Sequence, residues 1–180
     1  MRVISGLYKG RNIEGFDIDG TRPTQDRVKE SVFGSIQDYI DDSTVLDLFS
    51  GSGNLAIESL SNGASKAYLV DNSKDAINII NKNINDIKVE NAYVIKDDYM
   101  NALNYFKNNN IKFDIIFLDP PYKDDYIDNS IKYLLENNMI NKNGIIVCEF
   151  ENNIKLDYEE FKIKKEKKFG YKKIVIFKKI

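Results

Sequence analysis

The chain has 180 residues, 42% hydrophobic and 30% charged, and one domain of that length buries about 70% of its unfolded surface without disulfide or metal. Its net charge of −2, from 26 basic and 28 acidic residues, excludes a uniformly basic nucleic-acid coat and leaves room for a local basic patch. The absence of His excludes Ser-His-Asp and Cys-His catalysis and any His-ligated metal, so no metal is expected. The single Cys148 excludes an internal disulfide and fits a reducing cytosol. No apolar leader follows Met1-Arg2, and the longest apolar runs are strand-sized. A cytoplasmic protein without membrane contact, a monomer, is expected.

In chain order, residues 1–15 read as a small hairpin turning at Gly6 and Gly10. A Gly- and Asp-rich loop ends in Arg22-Pro23-Thr24. Val28, Val32, Phe33, Ile36 and Ile40 then recur at helical spacing, predicting an amphipathic helix over 25–40 with Thr24 as N-cap. A strand–helix alternation begins at residue 44. Strands are predicted at 45–48, 68–70, 92–95, 113–118 and 144–150. Helices are predicted at 54–62, 73–87, 99–107 and 126–138. The tail, 162–168 and 172–179, reads as a terminal hairpin. Such alternation predicts βαβ units and a mainly parallel sheet. The near-continuous apolar character of the five strands predicts that both faces are covered. The one natural boundary lies near residue 42, with residues 1–42 an extension packed on an α/β domain of residues 43–180.

Ligands of open α/β sheets bind outside the carboxyl ends of the strands. Four of the five strands carry an acid at or near that end: Asp71, Asp97 or Asp98, Asp119 and Glu149. The first ends instead in a glycine loop, Asp47-Leu48-Phe49-Ser50-Gly51-Ser52-Gly53, which opens a helix. Glycines let a ligand approach main-chain N–H groups. Both a dinucleotide and S-adenosylmethionine (AdoMet) suit such a loop, and Asp71 lies at the right distance to meet a ribose hydroxyl in either. Asp47 ahead of the first glycine favours AdoMet, because a carboxylate repels a pyrophosphate.

Asp119-Pro120-Pro121-Tyr122 follows a buried strand. Each proline fixes φ and removes an N–H, so the turn is stiff. Asp119 and the Pro120 carbonyl can each accept a hydrogen bond, and Tyr122 offers a ring for stacking. Two acceptors and a ring suit the exocyclic amino group of a nucleobase.

These motifs together resemble the Rossmann-type AdoMet-dependent amino-methyltransferases of nucleic acids. With Met1 to Arg11, Thr21 to Glu30, Leu46 to Glu58 and Phe113 to Tyr122, the chain resembles the bacterial 16S ribosomal RNA guanine-N2 methyltransferases of RsmD type over nearly its whole length. The resemblance implies a Rossmann-like seven-stranded, mainly parallel sheet whose tail hairpin supplies an antiparallel strand. It implies AdoMet over Asp47, Phe49, Gly51 and Gly53, with Asp71 and the adjacent Asn72 at the ribose. Asp98 would sit by the adenine amino group. Asp97 is the alternative there and stands where a small residue is expected. Arg22 and Thr24 would lie near the methionine end. Asp119, Pro120, Pro121 and Tyr122 would be the catalytic tetrapeptide, and Tyr122 and Phe49 would flank the target base. The implied target is the guanine-966 type of site in 16S rRNA, within the small ribosomal subunit or an assembly intermediate.

RNA contact needs cations. Arg2, Lys9, Arg11, Arg22, Arg27 and Lys29 cluster near the N terminus, and Lys123 follows the diproline turn. The nine lysines of 162–179 read as a solvated hairpin face rather than an RNA site. An adenine-N6 methyltransferase has the same chemistry, and the N-terminal signature speaks against it. A nicotinamide-dependent oxidoreductase leaves the tetrapeptide without a role. A non-catalytic RNA-binding module leaves the intact site unexplained.

Overall fold

The computed structural model describes residues 1–15, 26–121, 125–151 and 156–180. Its centre is one seven-stranded sheet in the order β3-β2-β1-β4-β5-β7-β6. Strands β1 (Thr44–Asp47), β2 (Lys66–Asp71), β3 (Ala92–Lys96), β4 (Phe113–Leu118) and β5 (Ile140–Glu151) pair in parallel. β6 (Phe161–Phe169) and β7 (Lys172–Lys179) form the terminal hairpin, and β7 enters the sheet antiparallel to β5. Helices α1 (Asp26–Ile36), α2 (Asn54–Ser61), α3 (Lys74–Ile87), α4 (Tyr99–Asn108) and α5 (Tyr126–Glu136) cover the sheet. This is the Rossmann-like, seven-stranded and mainly parallel sheet that the resemblance implied, with its antiparallel strand supplied by the tail hairpin.

The sheet separates two cores. One joins Val45, Leu69 and Ile115 to apolar residues of α1, α2 and α3, and also takes in Val3 and Ile13 from the N-terminal segment. The other joins Leu46, Val70 and Ile116 to Leu103, Phe106, Ile131 and Leu134 of α4 and α5. Alternate residues of β1, β2 and β4 thus face opposite cores, and their unbroken apolar runs follow from that. β3 departs from the expectation of cover on both faces. It is the edge strand, and only Ala92, Val94 and Ile95 are even half-buried.

Several predicted boundaries shift for local reasons. The helix expected over 25–40 ends at Ile36 and tightens into a 3-10 turn at Gln37–Tyr39. Gly34 and Ser35 weaken its last turn, and the Ser35 hydroxyl donates back to the Ser31 carbonyl at 2.7 Å. Thr24, the expected cap, lies outside the described residues. β5 begins at Ile140, before the predicted Gly144. Asn143 adopts a positive φ, and a Cβ at Gly144 would meet Ile140 Cγ2 at 2.5 Å. The strand passes this irregularity and keeps pairing with β4.

Among the described residues the N-terminal hairpin is reduced to a single antiparallel bridge, Arg2 with Asn12. Its turn docks on the end of α2, where the Leu7 amide donates to the Ser61 carbonyl at 2.7 Å and the Tyr8 amide to Ser61 Oγ at 2.9 Å. Lys29 corrects the expected N-terminal cation cluster, because it is wholly buried. Its ammonium pairs with Glu58 Oε2 at 2.9 Å and donates to the Arg2 carbonyl at 2.6 Å and to Asn54 Oδ1 at 2.7 Å. Glu58 in turn accepts from the Ile4 and Ser5 amides. Lys29 therefore fastens the N-terminal segment and is closed to RNA.

Candidate active site

All five parallel strands deliver their carboxyl ends to one edge, and the expected acids arrive there together. Asp47 and Asp71 are the last residues of β1 and β2, Asp97 and Asp119 directly follow β3 and β4, and Glu149 lies near the end of β5.

The loop after β1 is held from several sides. The Ser50 amide donates to the Val70 carbonyl at 2.8 Å, and the Gly53 amide to the Ser50 carbonyl at 2.9 Å. Asp71 accepts from the Gly51 amide at 3.0 Å and from the Ser73 amide at 2.9 Å. One carboxylate therefore ties the glycine loop to the start of α3 and keeps lone pairs for a ligand. Gly53 has φ +81°, and a Cβ there would press on Leu69 at 3.1 Å, so glycine is required. Asn83 donates to the Ser52 carbonyl and to the Glu14 carbonyl, both at 2.9 Å, which links the loop to the N-terminal segment.

Asp47 is buried behind this loop. Ser50 Oγ donates to it at 3.1 Å, and the Ala56 amide in the first turn of α2 donates as well. Burial outweighs both donors and pushes its pKa up to about 7, with Asp71 adding repulsion. Burial also raises Asp71, against the amides that lower it. Asp119 is raised well above the carboxylate range, first by burial of its carboxyl group and then by the charge of Glu149. Lys172 acts in the opposite sense, and Asp47 adds a smaller repulsion. Glu149 and Lys172 form an ion pair between β5 and β7. Asp119 and Glu149 share the wall of a narrow cleft with Val28, Val32, Leu55 and Leu118. The edge is thus a desolvated group of carboxylates suited to a cationic ligand.

The other expected residues divide. Asp98 is exposed and caps α4, accepting from the Met100 amide at 2.9 Å. Exposed Asp97 accepts from Asn101 Nδ2 at 3.0 Å and from the Asp98 amide at 2.8 Å. Their end of the sheet still joins the site, since the Asp97 amide donates to the Asp71 carbonyl at 3.1 Å. Asn72 is exposed beside Asp71, Pro120 is buried and Pro121 exposed. Arg22, Thr24, Tyr122 and Lys123 lie outside the described residues. Among the expected RNA contacts, Arg2, Lys9, Arg11 and Arg27 are all exposed. Arg2 stands 3.8 Å from Asp26.

Two features escape the sequence reading. Phe49 meets Tyr99 at 5.5 Å and Tyr126 at 5.7 Å between ring centroids, and the two tyrosines meet edge-to-face at 5.1 Å. The three half-buried rings gather the loop after β1 with the starts of α4 and α5. An aromatic residue opening a helix just past a strand-end acid is the signal that marks Tyr99. The second feature is Asn54, which opens α2. The Lys29 ammonium, a donor only, orients its Oδ1, so Nδ2 faces the other way, buried and without an acceptor among the described residues.

Residues 1–178 match the family model described as Conserved hypothetical protein 95. The Haemophilus influenzae protein named Ribosomal RNA small subunit methyltransferase D is 37% identical over 173 residues, which span 94% of this chain and 89% of that protein. YlbH of Bacillus subtilis, a provisionally assigned rRNA methyltransferase, is 36% identical over 182 residues and 99% of each chain. The solved structure of Escherichia coli yhhF, a provisionally assigned methyltransferase, superposes with a TM-score of 0.87 at 27% identity, covering 99% of this chain and 97% of that one. With the glycine loop, the strand-end carboxylates and the seven-stranded sheet in place, the match over nearly the whole length places this chain in the Conserved hypothetical protein 95 family, the RsmD-type family of methyltransferases.

Proposed function

We propose that this protein transfers a methyl group from AdoMet to the exocyclic N2 of a guanine in 16S rRNA, the guanine-966 type of site, within the small subunit or an assembly intermediate. The observation that carries the reading is the desolvated carboxylate edge, where Asp47, Asp71, Asp119 and Glu149 gather around a glycine loop with Lys172 as the nearby compensating cation. AdoMet carries a sulfonium and an α-ammonium, charges that such an edge accepts. The unpartnered Asn54 Nδ2 supports the fit, because it offers a donor to the α-carboxylate. The open acceptor positions of Asp71 suit ribose hydroxyls, and Phe49 and Tyr99 offer apolar walls to an adenine.

When bound, AdoMet supplies an electrophilic methyl carbon. The protein's part is to make a poor nucleophile reactive. The guanine N2 lone pair is delocalised into the ring. Hydrogen bonds from its N–H groups to Asp119 and to the Pro120 carbonyl favour a pyramidal nitrogen and stabilise the positive charge that develops on it. The diproline turn holds both acceptors rigidly, so little reorganisation is needed at the moment of reaction. In its ionised form Asp119 can receive a proton from the methylated nitrogen after transfer. The target base must leave its stack or come from a loop, and an aromatic platform stabilises it there.

The test is transfer of a radiolabelled methyl group to 30S particles from a strain lacking the activity, followed by nucleoside analysis. N2-methylguanosine is expected. N6-methyladenosine in its place would overturn the guanine reading and leave amino-methyl transfer standing. Asp119→Ala should keep AdoMet binding within about threefold and lose at least 100-fold in transfer, on the order of the loss expected for a key transition-state contact. Transfer at the wild-type rate would remove Asp119 from the mechanism.

A further inference from the structure

Although the tail lysines read as a uniformly solvated face in the sequence, the register of β6 on β7 sorts them. Lys168 lies opposite Lys173, and Glu166 pairs with Lys173 at 2.9 Å on the face that carries Val175 and Phe177. The face toward α1 differs. There Lys165 reaches across to Ser35 Oγ at 2.6 Å, bridging β6 to the helix. On one side of that bridge, Arg27 and Lys167 lie over the ring of Phe169 at 6.0 and 5.0 Å. On the other, Lys164 and Lys178 lie over the ring of Tyr39 at 5.3 and 5.2 Å.

Five cations thus line one seam, and among the described residues none is within ion-pair distance of a carboxylate. Two ammoniums that share one ring stand within about a Debye length of each other at 0.1 M salt. A chain with net charge −2 has acids enough to neutralise them, yet the seam is left unneutralised. Mere protection of an edge strand needs only scattered charge. Aromatic rings that hold the side chains in place reduce the entropy lost on gripping a ligand.

The seam also starts at the candidate active site, because Val28, next to Arg27, lines the same cleft as Asp119. From Arg27 to Tyr39 it runs roughly 18 Å at the helical rise. Successive phosphates of one nucleic-acid strand are ~3.4 Å apart along a duplex axis, so several fall within that length.

We propose that the α1–β6 seam, through Arg27, Lys164, Lys165, Lys167 and Lys178, is a docking track for the phosphodiester backbone of the substrate RNA. The proposal rests on the rRNA reading above and adds where the RNA lies. The sugar-phosphate chain follows the seam away from the cleft while the target base enters the cleft itself.

The experiment compares the double variant Lys164→Glu/Lys167→Glu with the control Lys112→Glu/Lys142→Glu. The control makes the same charge change at exposed positions by the amino ends of β4 and β5, at the opposite end of the sheet. Binding of each protein to a 16S rRNA fragment and to 30S particles is titrated from 50 to 200 mM salt. The seam variant should bind at least tenfold more weakly at 100 mM, and its log K against log salt slope should fall by about 1.5–2, as for two lost phosphate contacts. The control should keep the wild-type slope. An unchanged slope in the seam variant, or an equal fall in the control, would overturn the track. The milder Lys164→Gln/Lys167→Gln should show the same direction, with AdoMet binding and melting temperature as in the wild type. Methyl transfer separates the two readings. If the wild-type protein binds rRNA with the predicted salt dependence and transfers no methyl group, the enzymatic reading fails and the track stands. A seam variant with raised KM and unchanged kcat supports both.

Discussion

Asp47 is the residue where the site's chemistry conflicts with stability. Its pKa rises from 3.8 unfolded to about 7 folded. Below pH 3.8 both states are protonated and Asp47 contributes no pH dependence. Between pH 4 and 7 the unfolded state releases its proton while the folded state keeps it, so stability falls as pH rises and levels off above 7. A shift of that size corresponds to at most about 4 kcal/mol. Asp47→Asn should therefore be more stable than the wild type at pH 8, by roughly 1–3 kcal/mol, and nearly equal to it at pH 4. Urea midpoints at the two pH values check this, and a variant less stable at pH 8 would contradict it. The same substitution should weaken AdoMet binding, because the cost of ionising Asp47 is recovered only when a cation arrives. Carboxylates at strand ends are visible in any sequence that can be divided into strands. How far each is desolvated depends on what packs over it, and that is a tertiary property.

At the scale of elements, the N-terminal segment is fastened by a charge inside the protein. The Lys29–Glu58 pair is wholly buried and saturated by the Arg2 carbonyl, Asn54 and the amides of Ile4 and Ser5. Removing one member leaves the other charged and unpaired, which costs about 3–5 kcal/mol. Lys29→Ala should lose that much in chemical denaturation, while Lys29→Met with Glu58→Leu should recover a large part of it. Because Lys29 also orients Asn54, the double variant should regain stability and still bind AdoMet less tightly. Equal recovery of both would dissociate Asn54 from the ligand. In the sequence, Lys29 reads as one more helix cation. Its spacings of three, four and seven to Val32, Phe33 and Ile36 placed it close to the apolar face, but burial of a lysine is decided by whether a carboxylate waits on another element. Glu58 is 29 positions away, and nothing local links the two. The aromatic trio is a similar case, since Phe49, Tyr99 and Tyr126 become neighbours only when three loops share one sheet edge.

For the whole molecule, both cores use the same sheet. β1, β2 and β4 place alternate residues in each, and Val3 and Ile13 join the core beneath α1. Neither core can be dismantled without baring the strands that support the other, so unfolding should be a single cooperative transition. With no Trp and 11 Tyr, far-UV circular dichroism and tyrosine fluorescence should give superimposable urea curves. An early fluorescence transition would show that one face melts alone.

The sequence by itself determined the α/β alternation, the strands near the site and the order in which acids and glycines arrive at their carboxyl ends. Hydrophobic period and turn chemistry are local, and a parallel sheet turns that order into a common edge. β4 was legible to the residue because Pro120 and Pro121 stop it sharply. The edge position of β3, the early start of β5, the burial of Lys29 and the gathering of tail lysines against α1 were decided only by the tertiary structure. Each depends on which element lies beside which, and a pairing between distant parts of the chain leaves no periodicity in either partner.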